Sequence, residues 1–207
     1  MFDKDITRKC LFARNEKPFG DSWEQWTTKW WKWILSIPKD VNPTLDTTGE
    51  LFSLATQDRN SKVIFLPGNL GGFSVRTYVL PFGKALLIPI INFTTSYNEE
   101  PNLKTEPDLV ERAKKDIDDI VERFAEVDGR PIYNLEEYRV HAPPFEIFVV
   151  PDNIFNIPAG DTTAVSDGYW IFLRPLSTGT HEIHTIGSCS SGKTCVDSRI
   201  HLVVKEM

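Results

Sequence analysis

The distribution of apolar residues predicts a chain built mainly from β-strands. Short apolar runs alternate with turns that contain proline or glycine. The runs span residues 62–66, 73–80, 84–91, 138–141, 145–150, 164–173, 179–186 and 198–204. Because these runs do not alternate with helices, the pattern favours a β-sandwich of jelly-roll type over a doubly wound α/β fold.

A similar turn recurs three times and predicts tight connections between strands. The three turns are Leu80–Gly83, Ile157–Gly160 and Leu176–Gly179. Each ends in glycine, which adopts positive φ without steric cost. We expect each to close a hairpin.

Two segments predict α-helices that cover the sandwich, one at about 22–37 and one at about 106–125. In the first, Ser22 and Gln25 form a capping-box pattern, and Pro38 ends the helix. In the second, Thr105 is a good N-cap, and apolar residues recur at helical spacing up to Phe124. Residues 1–19 are interpreted as an N-terminal extension and residues 20–207 as one domain.

The first helix concentrates five of the six tryptophans within Trp23–Trp33. Trp23, Trp26, Trp30 and Trp33 share one face, and Trp31 lies beside it. These rings either clamp the helix against a sheet or form an aromatic platform for a sugar or another flat ligand. On the second interpretation, Trp26 and Trp30 are ligand-binding residues, together with Trp170.

The charge and the apolar content of the chain limit the classes of partner that it is expected to bind. The 207 residues carry a net charge of −6, and an acidic segment at 98–128 accounts for it. An acidic chain disfavours nucleic acid and anionic membranes, which attract cationic surfaces. No apolar run approaches 18 residues, so no membrane span is predicted. The start has no secretion-signal pattern. The location stays open: cytoplasmic as written, or secreted if the N-terminus is processed.

Two motifs point to chemistry that their context does not support. Residues 187–194 match the phosphate-binding P-loop pattern, but an alternating strand follows instead of a helix, so we predict a hairpin loop. His181 and His184 lie three apart in a predicted strand, where side chains point to opposite faces. We therefore predict no metal and no cofactor.

Cys189 and Cys195 flank the loop, and either a disulfide or two reduced thiols fits their spacing.

A set of polar residues interrupts the most apolar strands. Asp167 lies within Ala164–Leu173, and a buried carboxylate needs a hydrogen-bond donor. We expect it to converge on one sheet face with other polar side chains, namely Arg76, Asn92, Tyr169 and His181. The set is either an internal salt bridge that fixes strand register or a pocket for a polar or anionic small molecule. In its sharpest form, His181 acts as an acid–base catalyst with Asp167 and Arg76.

Several motifs resemble those of a family of uncharacterised bacterial and archaeal proteins. The likeness runs from about Gly20 to the C-terminus and rests on Ser22-Trp23-x-x-Trp26…Trp30-Trp31-x-Trp33…Ser36-Ile37-Pro38, Asn42-Pro43…Asp46-x-x-Gly49, Val75-Arg76…Pro81-x-Gly83-Lys84…Pro89-Ile90-Ile91-Asn92, Val127-Asp128-Gly129, Tyr138-Arg139-Val140, Val165-Ser166-Asp167-Gly168-Tyr169-Trp170…Pro175-Leu176-x-x-Gly179-x-His181-x-Ile183 and Gly187-Ser188-Cys189. The family has no established activity, so the resemblance implies a shared fold and leaves the reaction open. Its members often look exported.

Three classes of function follow from these observations. The leading hypothesis is a protein that binds a small polar ligand or a glycan. The first alternative is an enzyme of hydrolase or lyase type that uses His181 with Asp167 and Arg76. The second is a structural or assembly protein. A homo-oligomer is compatible with each of them.

Overall fold

The computed structural model describes residues 10–53, 55, 57, 58, 60–190 and 195–206. Within them the chain forms two sheets packed against each other and two α-helices, which confirms the predicted β-sandwich. The helices are α1 (Trp23–Leu35) and α2 (Glu106–Asp118). The strands are β1 (Val63–Phe65), β2 (Gly72–Pro81), β3 (Ala85–Ser96), β4 (Ile120–Val127), β5 (Arg130–Pro131), β6 (Arg139–Val149), β7 (Gly160–Leu173), β8 (Gly179–Cys189) and β9 (Cys195–Lys205).

Both sheets are mixed. The four-stranded sheet has the order β1-β3-β7-β6, and the five-stranded sheet has the order β2-β9-β8-β4-β5. One pair in each is parallel, β1 with β3 and β2 with β9. The other neighbours are antiparallel, including β8 and β9 on either side of the glycine-rich loop. The last third of the chain therefore forms the antiparallel ribbon that its alternation predicts.

The three glycine turns differ in what they connect. Gly83, Gly160 and Gly179 adopt positive φ, at 85°, 123° and 130°, as expected. The segments ending in Gly83 and Gly179 nevertheless join strands of different sheets, β2 to β3 and β7 to β8. The predicted hairpins are wrong at these two places, since a glycine reports local backbone conformation and not strand pairing. The segment ending in Gly160 does connect antiparallel neighbours, β6 and β7.

Two apolar cores lie on opposite faces of the four-stranded sheet. Between the sheets, fully buried residues such as Ile171, Ile183 and Ile200 interdigitate. On the outer face, α1 packs its tryptophans against β7, with Trp23 edge-on to Phe172 at 5.5 Å between ring centroids. The tryptophan-rich face of α1 is therefore chiefly a packing surface, as the clamping interpretation predicts.

Helix α1 starts with the predicted capping box, formed by Ser22 and Gln25. Helix α2 starts with its own, Thr105 and Asp108, but it ends at Asp118 instead of about residue 125. Residues 120–127 form β4, which pairs with β8. The apolar spacing after Ile117 is compatible with both structures, and pairing in the sheet decides between them. Val121 is 62 % exposed on this strand.

The described part of the N-terminal segment packs on the four-stranded sheet. The amide of Phe12 donates to the carbonyl of Phe172 at 2.9 Å, and Leu11 is buried in the core between the sheets. The amide of Arg174 donates to the carbonyl of Cys10 at 2.7 Å. Residues 10–12 thus extend the sheet beside the end of β7, where β6 no longer pairs with it. Among the described residues, no helix has the length and apolarity to cross a bilayer.

Candidate functional site

The three predicted catalytic residues lie in separate hydrogen-bond networks. The Nδ1 atom of His181 is 2.8 Å from Asp128 Oδ2, at one end of the five-stranded sheet. Its Nε2 atom is 3.0 Å from the carbonyl oxygen of Ser177. Asp167 lies on the four-stranded sheet, and Arg76 lies on β2 at the edge of the five-stranded sheet. The structure therefore does not bring His181, Asp167 and Arg76 together.

Asp167 forms an internal ion pair. It is 2 % exposed and accepts two hydrogen bonds from Arg139, from Nε at 3.0 Å and from Nη2 at 2.6 Å. Arg139 also donates to Asp118 at the end of α2, at 2.7 Å. Hydrogen bonding to Asp167 is the main reason that the pKa of Arg139 is raised above its usual value. The pair joins β6, β7 and α2, as the register-fixing interpretation of Asp167 requires.

Arg76 ties two loops together. Its side chain is fully buried, and its guanidinium donates to three backbone carbonyls, those of Asp46 at 2.7 Å, Pro67 at 3.1 Å and Thr44 at 3.3 Å. The carbonyls belong to the loop that follows α1 and to the loop between β1 and β2. Asn42 anchors the first of these loops, because its side-chain amide donates to the carbonyls of Ile34 and Ile37. Arg76 is therefore a positioning residue for both loops.

These two loops border a cleft of about 300 Å³, here called the Trp31 cleft. Helix α1 forms one wall, and the edge of β3 forms another. The inward faces of β8 and β9 close its inner end, and residues of the β6–β7 loop complete the rim. Its lining includes Trp30, Trp31, Thr44, Asn92, Phe93, Glu99 and Phe155.

The cleft exists because β1 is much shorter than β3. Strand β1 pairs only with Ala85–Leu87, whereas β3 continues to Ser96. Beyond Leu87 the chain after β1 leaves the sheet, and a bulge between Pro89 and Ile91 distorts the edge that it leaves uncovered. Proline also removes a backbone donor from this edge. A gap lined by side chains therefore replaces a strand.

Gly168 sets how closely β7 approaches β3 at the cleft. A Cβ atom at this position would lie 2.5 Å from the Cβ of Asn92, its partner in the ladder. A glycine is thus required opposite Asn92. This explains in physical terms one position of the Val165–Trp170 motif.

Three side chains of the cleft carry a buried polar atom without a hydrogen-bond partner in the described part of the chain. The atoms are Trp31 Nε1, Thr44 Oγ1 and Asn92 Nδ2. Trp31 and Thr44 are 4 % and 5 % exposed. A buried polar group without a partner costs about 1–3 kcal/mol, and such groups are rare in folded proteins. By contrast, Trp30 Nε1 in the same wall donates to the carbonyl of Leu66 at 2.8 Å.

Glu99 lies at the cleft on the turn after β3, with more than a third of its surface exposed. Its backbone amide donates to the carbonyl of Ser96 at 3.1 Å. Desolvation by the surrounding protein and the negative charge of Glu100 raise the pKa of Glu99 to about 7, against an opposing effect of Arg112. It is the charged residue among those that line the cleft.

The predicted ligand-binding residues divide between this cleft and other places. Asn92 and Trp30 line the cleft, and Trp170 packs behind Trp30 with 5.2 Å between ring centroids. Trp26 lines a separate surface cavity with Trp33, whose Nε1 also lacks a partner. Tyr169 faces the core between the sheets and accepts a hydrogen bond from Arg123 at 3.1 Å.

Sequence reasoning missed three residues of the cleft: Trp31, Thr44 and Glu99. The position of Trp31 beside the main tryptophan face of α1 is a visible signal, because a large aromatic ring off that face needs another contact. Thr44 and Glu99 carry no comparable signal. Thr44 lies on the loop after α1, and Glu99 lies on the turn after β3. The local sequence does not specify that these two segments meet at one cleft.

The glycine-rich loop offers no phosphate site among the described residues. Residues 191–194, including Lys193 and Thr194 of the P-loop pattern, lie outside them. Cys195–Lys205 is a strand, as predicted, so the helix that such a site needs does not follow. The described residues contain no disulfide: Cys10, Cys189 and Cys195 are thiols. The same residues include no group of three or more His, Cys, Asp or Glu arranged to hold a metal ion.

Comparison with known proteins adds no family. No family model matches the chain, and no curated protein matches it. The chain is similar to one in the structure of PbICP-C in complex with falcipain-2, at 13 % identity over 70 % of this chain and 100 % of that one, with a TM-score of 0.28. It is also similar to amebosin, at 8 % identity over 64 % of this chain and 96 % of that one, with a TM-score of 0.22. Scores this low bear on neither fold nor function.

Proposed function

We propose that the protein binds a small ligand in the Trp31 cleft. The observation that carries this proposal is that three residues lining one pocket, Trp31, Thr44 and Asn92, each hold a buried polar atom with no hydrogen-bond partner among the described residues. Folding leaves these groups unsatisfied at a cost, and a bound molecule offers a way to recover it. A cavity of about 300 Å³ suits a compound of about one ring, at the small end of ligand pockets.

The residues that line the cleft indicate which chemical groups the ligand carries. The indole N–H of Trp31 and the amide of Asn92 are donors, so the ligand carries hydrogen-bond acceptors such as carbonyl or hydroxyl oxygens. Trp30 and Phe155 provide apolar surface for a ring face. These features support the small-polar-ligand hypothesis and include a monosaccharide within it.

Binding is favoured over catalysis by His181. An acid–base mechanism needs the base, the carboxylate that orients it and the substrate within hydrogen-bond reach of one another. His181, Asp167 and Arg76 are each engaged with other groups, and none of them lines the cleft.

The test is ligand binding by variants that remove one polar group each. A panel of monosaccharides and single-ring aromatic compounds is screened by ligand-observed NMR with the unmodified chain. Thr44→Val and Asn92→Leu should weaken each hit about tenfold, the equivalent of one hydrogen bond of about 1.4 kcal/mol. Thr77→Val is the matched control, because Thr77 is exposed on β2 outside the cleft.

Stability measurements on the same variants separate binding from misfolding. Thr44→Val should leave the free energy of unfolding unchanged or raise it by up to about 1 kcal/mol, since it removes an unsatisfied hydroxyl and keeps the shape. The proposal fails if no compound binds, or if Thr44→Val and Asn92→Leu bind every hit as tightly as Thr77→Val does.

A further inference from the structure

The charge in the Trp31 cleft is one-sided. Glu99 is the charged residue among those that line it, and it has no ion pair among the described residues. The nearby cation, Arg112 of α2, is engaged elsewhere: its Nε lies 3.1 Å from Glu100, and its Nη1 contacts Asp116. No described cation pairs with the carboxylate of Glu99, so this group is available to a cationic group of a bound molecule.

The aromatic walls favour the same sign of charge. Trp30, Trp31, Phe93 and Phe155 all line the cleft, and the rings of Trp31 and Phe155 lie 6.4 Å apart. The faces of aromatic rings attract cations, and aromatic cages recognise ammonium groups in this way. A carboxylate beside such rings adds Coulomb attraction for a cation and repulsion for an anion.

We propose that the ligand of the Trp31 cleft is an organic cation: a single-ring amine that directs its acceptor oxygen toward Trp31, Thr44 and Asn92 and its ammonium group toward Glu99. This inference rests on the proposed binding function and specifies its ligand class. It replaces the anionic ligand that the sequence left open, because the cleft has no cation to receive one among the described residues.

The protonation of Glu99 makes the preference dependent on pH. The groups that face Glu99 are Glu100 and Asp116, which raise its pKa, and Arg112, which lowers it. The net value of about 7 means that the carboxylate gains its charge across the neutral range. A permanently protonated amine should therefore bind more tightly at pH 8 than at pH 5.5.

Three phenols with the same ring and different charge test the proposal. Tyramine is a cation at both pH values, 4-ethylphenol is neutral, and 4-hydroxyphenylacetate is an anion. By calorimetric titration at pH 8, tyramine should bind about tenfold more tightly than 4-ethylphenol, as a cation–π contact plus a carboxylate implies. 4-Hydroxyphenylacetate should bind most weakly. The advantage of tyramine should shrink severalfold at pH 5.5.

Glu99→Gln isolates the carboxylate. This variant should lose most of the preference for tyramine and all of its pH dependence while it keeps its affinity for 4-ethylphenol, because the aromatic walls alone still attract the ammonium group. Glu100→Gln is the matched control, because Glu100 is the adjacent carboxylate and pairs with Arg112 outside the cleft lining. Glu100→Gln should keep the preference for tyramine at pH 8.

Each contrary result has a distinct meaning. Equal affinity for the three phenols, with all three weakened by Thr44→Val, overturns the cationic ligand and leaves the binding function standing. Tighter binding of glucose or N-acetylglucosamine than of tyramine overturns it in favour of a neutral glycan. A preference for tyramine in Glu99→Gln as large as in the unmodified chain overturns the role of Glu99. No binding of tyramine at pH 8 overturns the inference, and the wider panel then decides the binding function separately.

Discussion

The Trp31 cleft and the outer face of the five-stranded sheet differ in whether their polar side chains have partners. Residue types alone would favour a site on the sheet, which carries histidines, whereas the missing partners favour the cleft. On the sheet, two histidines have carboxylate neighbours: His184 Nε2 lies 2.8 Å from Asp197, and His201 Nδ1 lies 3.5 Å from Glu182. The cleft is lined by residues of ordinary type, and in three of them, Trp31, Thr44 and Asn92, one buried side-chain polar atom has no partner among the described residues. The grouping of such atoms around one pocket, and not a reactive residue type, distinguishes the candidate site.

The largest effect is expected from Arg76, which holds the two loops that border the cleft. Arg76→Met should lower the free energy of unfolding by about 3 kcal/mol or more, because three buried carbonyls lose their donor. Arg199→Met on the five-stranded sheet is the control and should change stability by less than about 0.5 kcal/mol, since Arg199 is exposed. Urea unfolding measures both. If the two variants lose similar free energy of unfolding, Arg76 beside the cleft loops is no more important for stability than an exposed arginine of the sheet.

The next largest effect is expected at Asp167, one of two carboxylates that accept hydrogen bonds from Arg139. Asp167→Asn should cost about 2 kcal/mol, because Asp167 is buried and accepts two hydrogen bonds from the guanidinium. Asp118→Asn should cost clearly less, because its side chain is 40 % exposed and water screens the pair. Thermal unfolding at pH 7 ranks the two variants. The reverse order would show that burial does not determine how much each ion pair contributes to stability.

Glu99 should make the protein less stable as pH rises. Its carboxyl titrates near 4.5 when unfolded and near 7 when folded, so the folded state retains the proton longer and stability declines between these values. Glu99→Gln should therefore be more stable than the natural sequence at pH 8, by on the order of 1 kcal/mol after solvent screening at this partly exposed site. At pH 4 this advantage should vanish, and an advantage equal at both pH values would exclude the shifted titration.

The smallest effect is expected at His181, with the opposite dependence on pH. Burial lowers the pKa of its imidazole, but hydrogen bonds to Asp128 and to the Ser177 carbonyl outweigh burial and raise it overall. The resulting stabilisation is complete below the unfolded value of about 6.5 and is lost as pH rises through the folded value. Asp128→Asn should cost less than about 1 kcal/mol at pH 5.5 and less still at pH 8.5. A cost that grows with pH would contradict the raised pKa.

Sequence reasoning succeeded where the signal is local and repeated. The capping boxes of both helices, the alternation of β8 and β9, and the positive φ of Gly83 follow from a few adjacent residues. It failed where one pattern fits two structures, as at 120–125, or where pairing depends on distant strands, as for β2 and β3. Asn92 and Trp30 were found as candidate ligand residues, and Trp31, Thr44 and Glu99 were not.

The sequence by itself determined the class of fold, the limits of α1 and the burial of Asp167, because period, caps and apolar neighbours act over short distances. Only the tertiary structure decided that Asp167 pairs with Arg139, that Arg76 holds two loops, and that a short β1 leaves a cleft beside β3. These outcomes depend on which segments meet in space, and hydrogen-bond partners far apart in the chain leave no periodic trace within it.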